Sequence, residues 1–136
     1  MRLHFFNSKG RKKIPPIDGH KFDSHGEVRR YGVLRLLEQA GEISELDVHP
    51  VYTIEGAFTD HGGRRWREVR FTPDFRYRKK DGTIMIEDVK PKIIYRTKKL
   101  RLRKTKWLVN ETYNLRKRLF LQRHLKPGMI FMEVEG

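Results

Sequence analysis

Asp74, Asp88 and Lys90 are the residues of this chain whose types and spacing could do chemistry. Asp88 and Lys90 stand two apart at the end of an apolar run, IMIEDVK, so in a β-strand they project from one face together. Ile84 and Ile86 share that face, whereas Met85, Glu87 and Val89 take the other. Asp74 lies in a neighbouring strand-like run, and in-register pairing of the two runs brings its carboxylate toward Asp88. Two carboxylates converging on one point repel each other, and a divalent cation is the usual reason to tolerate that. Oxygen donors suit Mg2+, with Mn2+ able to substitute, better than Zn2+. A lysine beside such a cation can orient a water or stabilise charge on a phosphate oxygen. Glu87 is the alternative to Asp88 if the strand register shifts by one residue, but its opposite facing argues against it.

The elements that must position these groups follow from the pattern around them. Residues 71–77 read as one strand and 83–89 as the next, with Asp81-Gly82 as the strongest signal of the intervening turn. Ser24-His25-Gly26-Glu27 opens a helix as a capping box, S-x-x-E ahead of an apolar run. Val28, Tyr31, Leu34 and Leu37 form its buried stripe, Val33 and Leu36 widen it, and Gly41 closes it. Read from its residues alone, Glu27 caps that helix. Residues 46–54 read as a further strand, with Pro50 at an edge or start. Residues 55–63 read as a loop closed by His61-Gly62-Gly63, and 64–70 lead into another strand. Trp66 and Phe71 are expected in the core rather than as platforms for stacked bases. Residues 114–124, NLRKRLFLQRH, read as an amphipathic helix with Leu115, Leu119 and Phe120 inward, and 129–134 as a closing strand. The order implies an α/β or α+β domain, a mixed sheet flanked by helices.

Composition narrows the partners. The chain has 136 residues, 37% hydrophobic and 11% aromatic, which suits one folded domain with a modest core. Residues 1–20 are basic and contain Pro15-Pro16, so they are expected to form an arm that orders on contact. With no cysteine there are no disulfides and no thiolate metal sites. Phosphate-loop, dinucleotide-binding and serine-elbow motifs are absent. The six histidines show no local ligand spacing, which disfavours zinc. No run approaches the roughly 20 apolar residues of a membrane span, so the expectation is a soluble, cytoplasmic protein without a membrane partner.

The net charge is +14, and its distribution matters more than its size. Between Lys90 and Lys126 there are 14 Lys or Arg against one acid, Glu111, which points to a polyanion such as DNA. Residues 92–110 supply Lys92, Arg96, Lys98, Lys99, Arg101, Arg103, Lys104 and Lys106 as phosphate contacts, on a basic helix or paired extension, or else on a flexible loop. Arg116, Lys117, Arg118 and Arg123 add contacts from the second helix.

Pro73-Asp74 followed by Asp88-Val89-Lys90 resembles the signature of the PD-(D/E)XK nuclease superfamily. Residues 18–24, DGHKFDS, with Glu27, Arg29-Arg30-Tyr31, Gly41-Glu42-Ile43, Glu45-Leu46 and Glu87-Asp88-Val89-Lys90, resemble small phage-encoded Holliday junction resolvases of that superfamily. The likeness covers residues 18–90 and returns weakly near 112–134, leaving 92–110 as an insertion. It implies a restriction-endonuclease-like fold and a homodimer that nicks four-way DNA junctions in the cytoplasm of a host cell. It also implies that Glu27, Asp74, Asp88 and the Val89 carbonyl hold Mg2+, and that Lys90 positions or helps deprotonate the attacking water. Pro91 departs from the glycine common after the motif lysine, although proline also follows it in related transposon end-cleaving nucleases. A transposon end-cleaving enzyme, a restriction-type enzyme and a non-catalytic basic DNA-binding protein are the alternatives.

Overall fold

Ser24 starts the first helix. Its extended backbone, φ −143° and ψ 155°, lets its side chain accept from the Glu27 N–H, and helix α1 then runs His25–Gln39. Glu27 accepts in turn from the Asp23 N–H at 3.2 Å, so the reciprocal half of the capping box is made one residue early. At the other end Gly41 is left-handed, with φ 78°. Its N–H donates to the Glu38 carbonyl and the Glu42 N–H donates to Leu37, which closes α1 as a Schellman motif.

The computed structural model describes residues 13–96, 103–107 and 111–136. After α1 come β1 (Ile43–Val48), β2 (Tyr52–Glu55), β3 (Phe58–Thr59), β4 (Arg65–Trp66), β5 (Val69–Phe71), β6 (Phe75–Lys79) and β7 (Ile84–Lys90). They are followed by β8 (Lys92–Arg96), β9 (Arg103–Trp107), helix α2 (Glu111–Arg123) and β10 (Met129–Glu135). The main sheet has the order β1-β6-β7-β10. Its first three strands pair antiparallel, whereas β10 lies parallel to β7, so the sheet is mixed and the fold is α+β.

Strand alternation on β7 divides the interior into two layers. Met85 and Val89 join Phe22, Tyr31, Leu34, Phe75 and Tyr77 beneath α1. Ile86 joins Ile54, Phe71 and Phe120 beneath α2, with Ile84 packed alongside. Leu34, Phe75, Ile86 and Phe120 are fully enclosed. Each contributes about 1.5–3 kcal/mol of hydrophobic transfer. Clamped between both layers, β7 carries its polar end residues to a fixed place.

Several local expectations are corrected. The strand expected over 71–77 is two elements, because Thr72, Pro73 and Asp74 separate the end of β5 from β6. The strand expected over 46–54 breaks likewise, where His49 adopts a left-handed φ of 54° ahead of Pro50. The loop expected over 55–63 contains one strand of the β3–β4 hairpin. Trp66 is 40% exposed on that hairpin rather than in the core, whereas Phe71 is buried as expected. Val33 and Leu36 lie on the solvent side of α1, and Leu115 on that of α2, leaving Phe120 as the buried residue of the second helix. That helix starts at Glu111 rather than Asn114.

The expected N-terminal arm is folded at its end, where Ile17 and His20 exchange two backbone hydrogen bonds across Asp18-Gly19. Both turn residues have positive φ, 51° and 79°, as a type I′ turn needs. The Asp18 carboxylate accepts from the Tyr31 hydroxyl at 2.8 Å and so ties the turn to α1. Within the basic insertion, residues 92–96 and 103–107 take the paired form, because β8 and β9 are an antiparallel hairpin from Lys92↔Trp107 to Arg96↔Arg103. Lys98, Lys99 and Arg101 lie outside the described residues, as do residues 1–12.

Candidate metal centre

Asp74 sits at the entry to β6 and is clamped by its own backbone. Its N–H donates to the Glu87 carbonyl at 3.0 Å, and its carbonyl accepts from the His49 N–H at 2.8 Å. One carboxylate oxygen then accepts from the Val89 N–H at 2.6 Å. Two of these bonds tie Asp74 to β7 and the third ties it to His49, across the break between β5 and β6. Asp88, next to Val89 on β7, lines the same cleft and places its charge close enough to raise the Asp74 carboxyl. Lys90, two residues on, sets its ammonium 2.7 Å from Asp88 Oδ2 and 3.2 Å from the centroid of the Tyr113 ring.

Glu27 enters from α1. From the third residue of the helix, the carboxylate that accepts from Asp23 also lies 3.6 Å from His49 Nε2. His49 Nε2 is 3.9 Å from Asp74 Oδ1. One donor atom from each of Glu27, His49 and Asp74 falls within 4.8 Å of the others, a set that could hold a metal ion. Two carboxylate oxygens with one imidazole nitrogen form a mixed donor set for a divalent cation and do not by themselves select which one.

The electrostatics fit a cation-binding role. Burial, then the adjacent Asp88 charge and more weakly Glu27, push the Asp74 carboxyl up to about 8, against the opposing pull of the Val89 N–H. Burial raises Glu27 as well, opposed by its bond from Asp23 and by His49. Burial and the charges of Asp88 and Glu133 keep the Tyr113 hydroxyl protonated. Carboxyls so placed retain a proton that a bound cation would displace.

Glu27, Asp74, Asp88, Val89 and Lys90 therefore line one open cleft of about 770 Å3, together with Glu68–Thr72 and with Tyr113 and Arg116 of α2. The other basic candidates on α2 are used differently. Lys117 pairs with Glu133 at 2.9 Å, and Arg123 pairs with Glu55 at 2.5 Å. Arg118 lines a separate depression with Leu115 and Leu119. Of residues 92–96 and 103–107 the backbone pairing alone locates Lys92, Arg96, Arg103, Lys104 and Lys106, on a hairpin that leaves β7 immediately after Lys90.

Glu87 occupies the opposite face. It is 1% exposed and takes a two-pronged ion pair from Arg30, Nε to Oε1 at 2.7 Å and Nη2 to Oε2 at 2.6 Å. The Tyr77 hydroxyl also donates to it. His49, Tyr113 and Glu133 are the site residues that sequence reasoning missed. His49 follows no local ligand spacing because its partners lie 22 residues before it and 25 after it; its one signal is a His-Pro pair at a strand break.

No curated protein and no solved structure matches this chain. A family of proteins of unknown function, DUF1064, matches residues 7–128. The chain that carries this carboxylate–lysine cleft belongs to the DUF1064 family.

Proposed function

We propose that this protein is a divalent-metal-dependent endodeoxyribonuclease of the PD-(D/E)XK type that nicks branched DNA, with the four-way junction as its substrate. The observation that carries the reading is the buried Asp74–Asp88 pair, with Lys90 at 2.7 Å from Asp88 at the end of the central strand. Around this core lies an open cleft of about 770 Å3. Excess positive charge from Lys90 to Lys126 gives the chain its attraction for a polyanion.

Glu27, His49 and Asp74, with Asp88 and the Val89 carbonyl, would hold the cation, Mg2+ or Mn2+. Such a cation, when bound, polarises a phosphoryl oxygen and lowers the pKa of water. Lys90 donates from its ammonium to an attacking water or a phosphate oxygen, and its pairing with Asp88 and Tyr113 fixes that ammonium in place. Arg116 on the cleft wall offers a forked donor to a flanking phosphate. Two symmetric incisions in one junction require two such sites, so the proposal carries a homodimer.

The test compares a labelled four-way junction with a linear duplex of the same sequence, each with Mg2+ and with chelator. Paired, Mg2+-dependent nicks confined to the junction are expected. Equal cutting of the duplex would favour a restriction or transposition enzyme, and tight binding without cutting would favour a non-catalytic DNA-binding protein.

A further inference from the structure

The β3–β4 hairpin holds two large aromatic rings in solvent. Phe58 and Trp66 are cross-strand partners, 57% and 40% exposed, with ring centroids 6.3 Å apart and planes 14° from parallel. The Trp66 ring is held by its own loop. Trp66 Nε1–H donates to Asp60 Oδ2 at 2.9 Å, while Oδ1 of the same carboxylate accepts from the Gly62 and Arg64 N–H groups. The Arg64 guanidinium carbon stands 4.1 Å from the centroid of the Trp66 ring. Neither ring contributes to the two buried clusters of the core.

An oriented, exposed aromatic pair is a surface on which a further flat ring can stack, and the surrounding charge says which kind. Arg64, Arg65 and Arg67 are exposed beside Trp66 in the chain, and Arg64 stands over its ring. The acids nearby are committed, Asp60 to its own loop and Glu68 to Arg70. A planar partner attached to negative charge is therefore favoured, which describes a nucleobase on its phosphate strand. Location agrees with this, because Glu68–Thr72, which follow the hairpin directly, form a wall of the Asp74–Asp88 cleft. Trp66 is two residues from that wall, about 7 Å of extended chain.

We propose that the Phe58–Trp66 pair is a stacking platform for a DNA base that has left its helix beside the cut strand. The proposal rests on the reading of the cleft as a DNA-cleaving site, and it supplies that site with a preference for DNA containing unpaired or unstacked bases.

Binding measured in chelator, where cutting does not interfere, separates the two ideas. The probes are a duplex with a short single-stranded gap and a continuous duplex of equal length. Phe58→Ala combined with Trp66→Ala is expected to weaken binding to gapped DNA by about tenfold and to leave continuous duplex unchanged, while Trp66→Phe keeps most of the gapped affinity. On the wild-type protein, 2-aminopurine placed in the gap should lose fluorescence on binding. Equal losses on both DNAs, full gapped affinity in the double variant, or unquenched 2-aminopurine in the wild-type complex would each overturn the platform and leave the cleft reading intact. Failure of the wild-type protein to bind either DNA would remove the DNA reading itself.

Discussion

Glu87 and Asp88 are adjacent acids with opposite assignments because a strand turns successive side chains to opposite faces. Glu87 is spent on Arg30 and Tyr77 in the layer beneath α1, so removing it leaves a half-buried guanidinium without its partner. Glu87→Ala should lower unfolding free energy in urea by about 3 kcal/mol. Asp88→Asn should cost less, because the amide that replaces the carboxylate can still accept from Lys90. If the two variants unfold alike, the facing argument fails. Asp74 makes a prediction in pH. Its folded pKa is pushed up to about 8 from an ordinary 3.8, so the folded chain holds a proton that the unfolded chain has released. Stability should therefore be highest below about pH 4 as far as this group is concerned, and fall as pH rises from about 4 to 8. Urea midpoints of the metal-free protein should show that downward slope, and Asp74→Asn should flatten it.

At the scale of elements, the parts legible in the sequence are those set by neighbours in the chain. Ser24 and Glu27 cap α1, Gly41 closes it, and Gly82, with φ 90°, turns β6 into β7, all through bonds within a few residues. The facing of Asp88 and Lys90 needed only the two-residue period of a strand. The misread parts depend on distant partners. His49 breaks the strand in a left-handed conformation that its residue type does not advertise, and it is held there by the Asp74 carbonyl. Trp66 reads as core by hydrophobicity, yet its partners are Phe58 and Asp60 on an exposed hairpin. Leu115 fits the helical stripe but points away from the layer that Phe120 fills. The β8–β9 hairpin carries a prediction of its own, since basic residues that meet phosphate set the salt dependence of binding. Lys104→Ala with Lys106→Ala should weaken binding uniformly across DNA sequences and reduce the log–log salt slope by about 2. An unchanged slope would remove β9 from the interface.

For the molecule as a whole, the fold sets a rigid carboxylate–lysine centre on the central strand and follows it with the most basic third of the chain. Among the described residues no helix is long and apolar enough to cross a membrane. The measurement that tests the central claim most directly is the single-turnover nicking rate on a four-way junction in Mg2+, for wild type and for Asp74→Asn, with junction affinity measured on the same samples. The account predicts Mg2+-dependent nicking by the wild type and a rate below about one-hundredth of it for the variant at unchanged affinity. Undiminished nicking by Asp74→Asn, or a wild type that binds the junction and never cuts it, would contradict the account.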